Sequence, residues 1–281
     1  MTSRPVVIVV DSTLDVPAGV AVDLGIQIIP LNVQFGDESF LDQVEMSSEE
    51  FLHRLTSSPD LPKTSQPAPA RFEEAFRAAT ESGHDVLCIT LASDLSGTYN
   101  SARLAAEAVD PERIRVIDSQ SVSLAGGFMA IAAARAVRGG AGLTEATALV
   151  EPMPARTSLY AALDTLEFLH KGGRIGRASA LVGSLLSIKP IIRIRDGQVQ
   201  PVERVRTWRK AMDRLGTLAG EHAPAEHLGV MHVGNVPDGQ RLADRIAPVI
   251  PSGHVSLGEL GPVVATYGGP GLVGFIVVEQ G

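Results

Sequence analysis

The sequence predicts an α/β protein built from two domains, and three observations lead to that expectation. In the first half, short apolar runs alternate with helix-like segments, which is typical of a parallel sheet with helices on both faces. The chain has 281 residues, more than a single core of ordinary size occupies. The pattern then changes at Glu151-Pro152-Met153-Pro154. We therefore expect an N-terminal domain over residues 1–153 and a C-terminal domain over residues 154–281.

The N-terminal domain is expected to hold a parallel sheet flanked by helices. Val6–Val10 is a continuous β-branched run, as in a central strand that is buried on both faces. Ser47 and Glu50 have the spacing of a capping box, which predicts a helix through Leu55. Further strands are expected at Gln27–Phe35, Asp85–Leu91 and Arg113–Asp118. Further helices are expected at Ala70–Ser82, Thr98–Val109 and Leu124–Arg138.

The C-terminal domain is expected to be α/β with some antiparallel pairing. Asp196-Gly197 separates the strand-like runs Ile191–Arg195 and Gln198–Val205. This dipeptide is a strong hairpin signal, because both turn positions need a positive φ. A helix is expected from Thr207 to Ala219. Other strands are expected at Leu159–Leu163, Leu228–Val233 and Leu272–Val278.

Composition narrows the classes of ligand. The formal net charge of −8 argues against a nucleic acid bound through a general basic surface, because phosphate neutralisation supplies most of that affinity. Aromatic residues make up only 4% of the chain, so aliphatic side chains are expected to line any ligand pocket. The apolar fraction of 44% and the charged fraction of 20% are those of a globular protein.

Neither a metal site nor a membrane segment is predicted. Cys88 is the only cysteine and lies in an apolar run, where a buried structural thiol is expected. The seven histidines do not pair at metal-ligand spacing, so we expect no metal and no cofactor. Val6–Val10 is too short for a signal-peptide core, and Leu124–Ala134 is about half the length of a membrane span. A cytoplasmic location is the expectation.

Three hydroxyl-rich segments lie where an open parallel sheet binds ligands, near strand ends and helix starts. They are Asp11-Ser12-Thr13, Thr64-Ser65-Gln66-Pro67, and the stretch 93–101 around Leu95-Ser96-Gly97-Thr98. Ser96 stands at or next to a helix N-cap, so its hydroxyl and the adjacent N–H groups are suited to an anion such as a carboxylate or phosphate. For each segment, helix capping or a stiff turn is the alternative explanation.

The same segments lack the signatures of nucleotide or hydrolase chemistry. The glycine spacing fits neither a phosphate-binding loop nor a dinucleotide fingerprint, and Gly-x-Ser-x-Gly is absent. No catalytic residue is therefore assigned. One alternative keeps Asp11, Ser96 and Asp118 around a single site, in an enzyme that acts on a phosphorylated or carboxylated small molecule.

Basic residues cluster in the second domain. A Gly-Gly-Arg turn exposes Arg174, with Lys171 and Arg177 beside it, and Arg206 precedes the predicted helix at Thr207. In a chain of net charge −8, this clustering suggests a surface that faces an anion or a partner protein. A charged, solvated helix face is the alternative.

The whole chain from Val6 to Val278 resembles the DegV family, through eight short motifs that occur in order. The motifs are Asp11-Ser12-Thr13, Thr64-Ser65-Gln66-Pro67, Leu95-Ser96-Gly97-Thr98-Tyr99, Asp118-Ser119, Gly172-Gly173-Arg174-Ile175, Ile188-Lys189-Pro190, Arg206-Thr207 and Gly269-Pro270-Gly271. The resemblance implies a two-domain DegV-like fold that buries a long-chain fatty acid such as palmitate.

The resemblance also implies residue roles. Thr64 and Ser96 would hydrogen-bond the acyl carboxylate, with Ser65 and Gly97 beside them. In the FakB-type branch of the family, the carrier offers its carboxylate to a separate ATP-binding fatty acid kinase subunit, which makes acyl phosphate for phospholipid synthesis. By this resemblance the chain is a carrier and not an enzyme, and Arg174 and Arg206 would face the kinase subunit. A lipid-binding regulator without a kinase partner is a further alternative.

One motif departs from the family pattern. Family members usually carry a histidine shortly before the Gly-Pro-Gly, whereas this chain has Tyr267. A tyrosine hydroxyl can donate a hydrogen bond to a carboxylate, but it is neutral near pH 7 and does not become a cation there. Tyr267 is therefore expected to join the carboxylate site by hydrogen bonding alone.

Overall fold

The computed structural model describes residues 4–58, 60–181 and 188–281. The strands are β1 (Val6–Asp11), β2 (Gln27–Ile29), β3 (Asn32–Phe35), β4 (Glu38–Leu41), β5 (Lys63–Ser65), β6 (Asp85–Thr90), β7 (Ile114–Asp118), β8 (Thr157–Ala162), β9 (Lys189–Arg195), β10 (Gln198–Val205), β11 (Ala225–His232), β12 (Ser256–Glu259) and β13 (Val273–Glu279). The α-helices are α1 (Ala18–Leu24), α2 (Ser48–Ser57), α3 (Pro69–Glu81), α4 (Thr98–Val109), α5 (Leu124–Arg138), α6 (Leu143–Val150), α7 (Glu167–Lys171), α8 (Trp208–Gly220), α9 (Val236–Ile246) and α10 (Pro262–Gly268).

The first sheet is parallel, in the order β2-β1-β6-β7, and helices cover both of its faces. The β-branched run of β1 is buried, as a central parallel strand requires. Helices α3 and α4 pack on one face, and α5 packs on the other. The layer under α3 and α4 is filled by Val9, Phe72, Phe76, Cys88, Ala102 and Ala105. The predicted parallel sheet flanked by helices is confirmed.

The second sheet has six strands, in the order β10-β9-β8-β13-β11-β12, with β11 and β12 parallel and the other pairs antiparallel. Asp196 (φ 52°) and Gly197 (φ 74°) form the turn between β9 and β10, so the predicted hairpin is confirmed. Helices α8 and α9 cover the outer face of this sheet.

Helix α5 lies between the two sheets, and its small residues make that position possible. It contacts β1 and β6 of the first sheet and β8, β11 and β13 of the second. A Cβ added at Gly127 would lie 2.6 Å from the carbonyl oxygen of Leu14, so the backbones approach each other closely there. A hydrophobic core therefore runs continuously from the first sheet to the inner face of the second. The domain boundary after residue 153 stays a prediction.

The third sheet corrects one expectation. The run Gln27–Phe35 was expected to form one strand, but it divides into β2, which pairs with β1, and β3, which pairs with β4 and β5. Pro30 lies between the two strands and has no N–H to give to a ladder, so a single continuous strand is disfavoured. This small antiparallel sheet places β5, and with it Thr64, beside the site described below.

Candidate functional site

A cavity of about 330 Å³ lies between the inner face of the six-stranded sheet and the strand ends of the first sheet. This volume is within the range of small-molecule sites. Its walls are mainly aliphatic, as the low aromatic content predicts. The apolar lining residues are Leu31, Leu91, Leu95, Val122, Leu159, Ala161, Leu163, Leu169, Ile192, Ile194, Val199, Met231, Leu260, Val263, Val264, Leu272 and Ile276.

The polar lining is concentrated where β5, α10 and the loop before α4 meet. The hydroxyl oxygen of Tyr267 lies 2.5 Å from Oγ1 of Thr64. Ser65, Gln66 and Ser96 also line the cavity here. Ser65 and Gln66 are exposed, whereas Thr64 and Tyr267 are half-buried, so this end of the cavity opens toward solvent.

Ser96 stands directly before the N-cap of α4, as the sequence predicts. Its hydroxyl oxygen accepts a hydrogen bond from the N–H of Thr98 at 3.3 Å and lies 2.9 Å from the Thr98 hydroxyl. Gly97 is the N-cap itself and does not line the cavity. A Cβ on Gly97 would lie 2.2 Å from Oε1 of Gln66, so this glycine makes room for the Gln66 side chain. Gln66 thus belongs to the polar end, although its sequence context predicted no role for it.

Arg174 lies at the mouth of the cavity. Its guanidinium carbon is 5.1 Å from the centroid of the Tyr267 ring, and its Nε donates to the carbonyl oxygen of Leu95 at 3.3 Å. Gly173 has a φ of 71°, and a Cβ on Gly172 would lie 2.5 Å from Cδ1 of Tyr267. The Gly-Gly-Arg motif therefore turns the chain and makes room for the tyrosine ring.

Arg206, the second residue assigned to partner docking, is exposed and lies outside the lining of the cavity. It directly precedes Thr207, whose side chain caps α8 by accepting from the N–H of Lys210. The two arginines therefore have different surroundings: Arg174 belongs to both the cavity and the surface, and Arg206 only to the surface.

Among the residues that the structure describes, three aspartates are buried behind the cavity wall, and only the first was noticed in the sequence. Asp11 accepts from the N–H of Leu91 at 2.7 Å and from the hydroxyl of Thr13. Burial raises the pKa of Asp11 to about 6, although the hydrogen bonds from Thr13 and Leu91 lower it. Asp11 itself does not line the cavity, but Thr13 does. Asp11 therefore ties β1 to the end of β6.

Asp15 and Asp42 are the other two buried carboxyl groups. Asp15 accepts from the hydroxyl of Ser123 at 2.7 Å, and Asp42 accepts from the hydroxyl of Ser12 at 2.6 Å. Burial raises the pKa of Asp15 to about 8 and raises that of Asp42 as well. No motif marks these two residues, because their significance arises only from contacts with distant parts of the chain.

The alternative site around Asp11, Ser96 and Asp118 is not assembled as one cavity. Of these residues, only Ser96 lines the cavity. Both oxygens of Asp118 accept from the N–H of Ser93, and Oδ1 also accepts from the N–H of Gln120. Asp118 therefore ties together the loops after β6 and β7.

Other chemistry is limited in the part of the chain that the structure describes. Within residues 4–58, 60–181 and 188–281, no group of three histidine, cysteine or acidic side chains is placed to hold a metal ion. Cys88 is buried, and burial raises the pKa of its thiol well above the ordinary value, so it is an unreactive core residue. None of the helices in the same ranges combines the length and apolar character that a membrane span needs.

The model of a family described as uncharacterised DegV proteins matches residues 5–280. The chain belongs to the DegV family. A DegV domain-containing protein of Streptomyces coelicolor is 37% identical over 283 residues, covering 99% of this chain and 100% of its own.

Solved DegV structures share the whole fold. A DegV family protein from Thermus thermophilus, described as fatty acid binding, has a TM-score of 0.91 and 30% identity, covering 98% of this chain and 100% of its own. DegV from Bacillus subtilis, described as a fatty acid binding protein, has a TM-score of 0.87 and 29% identity, covering 99% of this chain and 100% of its own. The predicted DegV fold is therefore confirmed over the full length.

Proposed function

We propose that this chain binds one long-chain fatty acid in the cavity between its two larger sheets. The observation that carries the proposal is an aliphatic cavity with one polar end, where the Thr64 and Tyr267 hydroxyls meet beside Ser96. The acyl chain lies along the aliphatic walls and the carboxylate at the polar end. DegV relatives from two organisms are described as fatty acid binding, which supports the same ligand class.

The energetics suit this ligand. Each methylene removed from water contributes roughly 0.8 kcal/mol, so a chain of about sixteen carbons such as palmitate is strongly retained. A buried carboxylate without partners would be costly, because it loses its hydration. Thr64, Ser96 and Tyr267 supply hydroxyl donors, and the guanidinium of Arg174 supplies a positive charge at the mouth. No metal or organic cofactor is needed.

The second part of the proposal is that the bound carboxylate is offered to a fatty acid kinase subunit, in the cytoplasm, for acyl-phosphate formation and phospholipid synthesis. The polar end opens beside the exposed Ser65, Gln66 and Arg174, so a partner can reach the head group without emptying the cavity. Arg174 and Arg206 are proposed to bind that partner. The chain itself then has no turnover.

The first experiment is native mass spectrometry of the freshly purified chain. A bound mass in the fatty acid range, displaced by added palmitate, is the expected result. An empty protein that rejects palmitate after delipidation would refute the proposal. Incubation of the loaded protein with ATP and a cognate kinase subunit then separates a carrier, which yields acyl phosphate, from a lipid-binding regulator, which yields none.

A further inference from the structure

Helix α10 is short, and its two ends are held by different parts of the chain. At its start, the N–H of Gly261 donates to Oδ1 of Asp15 at 3.0 Å, and the N–H of Val263 donates to Oδ1 of Asp42 at 3.1 Å. Near its end, Tyr267 meets Thr64 at the polar end of the cavity. The helix has seven residues and is about 10 Å long at 1.5 Å per residue, so a tilt at its start moves Tyr267 directly.

The two carboxyl groups are themselves fixed in place. Asp15 is 7% exposed and Asp42 is 1% exposed. The second oxygen of Asp42 accepts from Ser12, and Asp15 also accepts from Nε2 of Gln43 at 3.0 Å. The same Gln43 nitrogen donates to the carbonyl oxygen of Ser12 at 2.9 Å. The start of α10 therefore rests on a rigid, hydrogen-bonded base.

The backbone of this base is held in an unusual conformation. Asp15, Gln43 and Ser123 have φ angles of 46°, 61° and 59°, in the left-handed region that side chains other than glycine disfavour. Such positions persist only where surrounding contacts over-determine them, and they concentrate at functional sites. Here each of the three residues is part of the network around Asp15.

We propose that Asp15 and Asp42 are positioning residues of the head-group site. They fix the start of α10 and thereby hold the Tyr267 hydroxyl against Thr64, so that the cavity prefers a carboxylate to an uncharged head group. This inference rests on the proposed fatty acid binding. It differs from a merely structural role, which would lower affinity for every acyl ligand equally.

The test compares palmitate with hexadecanol, which has the same chain length and no carboxylate. Dissociation constants are measured on delipidated protein by displacement of a fluorescent fatty acid. Asp42→Ala is expected to weaken palmitate about tenfold and hexadecanol less than about twofold, since one fixed donor is lost only from the carboxylate site. Tyr267→Phe is likewise expected to weaken palmitate more than hexadecanol.

Two controls make the ratio interpretable. Asp42→Asn keeps an acceptor for the N–H of Val263, so it is expected to restore most of the wild-type ratio. Ile276→Val removes one methyl group from the aliphatic lining and no hydrogen-bonding group, so it is expected to weaken both ligands by the same factor. Equal weakening of both ligands by Asp42→Ala would overturn the positioning role.

If circular dichroism shows that Asp42→Ala does not fold, Gln43→Asn is the variant that tests the proposal. This variant withdraws the amide from Asp15 and keeps a residue that tolerates positive φ. A partial loss of the preference for palmitate over hexadecanol supports the proposal, and an unchanged preference overturns it. Wild-type protein that binds neither ligand would instead refute the proposed function, so the two failures are distinct.

Discussion

The hydroxyl oxygen of Tyr267 lies 2.5 Å from Oγ1 of Thr64, although 203 positions separate the two residues in sequence. This pair joins the edge strand of the small antiparallel sheet to the end of α10. Two neutral hydroxyls can both donate to a carboxylate, and either can accept from the other when the site is empty. Tyr267 can therefore take part in the site by hydrogen bonding alone.

The hydroxyls of Thr64 and Ser96 are expected to act together on the carboxylate. Thr64→Ala combined with Ser96→Ala removes two donors at once and leaves the aliphatic walls intact. We expect retention of fatty acid through purification to be lost, with an affinity at least about a hundredfold lower because each charge-assisted hydrogen bond contributes roughly 1.5–3 kcal/mol. Native mass spectrometry measures retention, and thermal unfolding checks the fold. Full occupancy in the double variant would place the carboxylate elsewhere.

Replacing Tyr267 by histidine is expected to create a pH-dependent site. A phenol gains no positive charge near neutral pH, so between about pH 5.5 and 8 the wild-type protein lacks the pH dependence that a cation at this position would bring. In Tyr267→His, affinity should rise as the pH falls through about 6.5, because an imidazolium attracts the carboxylate. Isothermal titration across this range measures the effect. Parallel pH profiles for the two proteins would mean that the head group lies away from position 267.

Local sequence patterns predicted the parts of the fold that depend on neighbouring residues. The β-branched run of β1, the capping serine of α2 and the Asp-Gly turn each specify their structure through nearby residues. The split of Gln27–Phe35 was missed because the pairing partners of β2 and β3 lie in different sheets. A single proline was the only local sign of that division.

The candidate site was predictable only in part, for the same reason. Thr64 and Ser96 were noticed in hydroxyl-rich segments and given their role by the family resemblance, and Tyr267 was noticed as a departure from the family pattern. Asp15 and Asp42 carry no local signal. Their contacts with Gly261 and Val263 span 246 and 221 positions. A carboxylate in a polar loop is expected to be solvated, and only the packing of α10 above it turns it into a buried acceptor.

Asp15 gives a prediction for stability against pH. Its pKa is raised from 3.8 to about 8, mainly by burial, so the folded protein holds a proton that the unfolded chain has already lost. The stability that this group contributes is complete below about pH 4 and falls as the pH rises toward about 8, with a slope of at most about 1.4 kcal/mol per pH unit. Asp15→Asn cannot ionise, and asparagine tolerates the left-handed backbone there.

The measurement is urea unfolding of both proteins between pH 5 and pH 7.5. The free energy of unfolding should fall less steeply with pH in Asp15→Asn than in the wild type. Identical slopes would show that Asp15 ionises as readily in the folded protein as in the unfolded chain. A steeper slope in the variant would contradict the sign of the pKa shift itself.

The two proposed docking arginines should behave differently. Arg206 is exposed and outside the cavity, so Arg206→Ala is expected to leave palmitate affinity within about twofold and to reduce acyl-phosphate formation with a kinase subunit about tenfold or more. Arg174 contacts the Tyr267 ring and lines the cavity, so Arg174→Ala is expected to weaken both. Arg138→Ala is the surface control: Arg138 ends α5, at the opposite end from Ser123 of the cavity lining, and the variant removes only an exposed ion pair with Asp23. Equal rates of acyl-phosphate formation from all three loaded variants would show that neither Arg174 nor Arg206 binds the kinase subunit.

Neighbouring alanines on β8 offer a test of the acyl cavity itself. Ala161 lines the cavity, whereas Ala162 packs into the core on the outer face of the sheet. Ala161→Leu fills empty volume, so the ligand-free protein should gain stability while palmitate binds more weakly. Preference should shift toward shorter acids, because each methylene that no longer fits costs roughly 0.8 kcal/mol, about a fourfold change in affinity.

Ala162→Leu is the control, since it adds the same atoms to a closely packed layer. Overpacking there is expected to lower stability by about 1–3 kcal/mol without changing the order of affinities along a series of saturated acids. Thermal unfolding of delipidated protein and competition between acids of increasing length measure the two effects. Two results together would contradict the cavity assignment: Ala161→Leu destabilises the empty protein as Ala162→Leu does, and the preference for chain length stays unchanged. No acyl chain would then lie against β8.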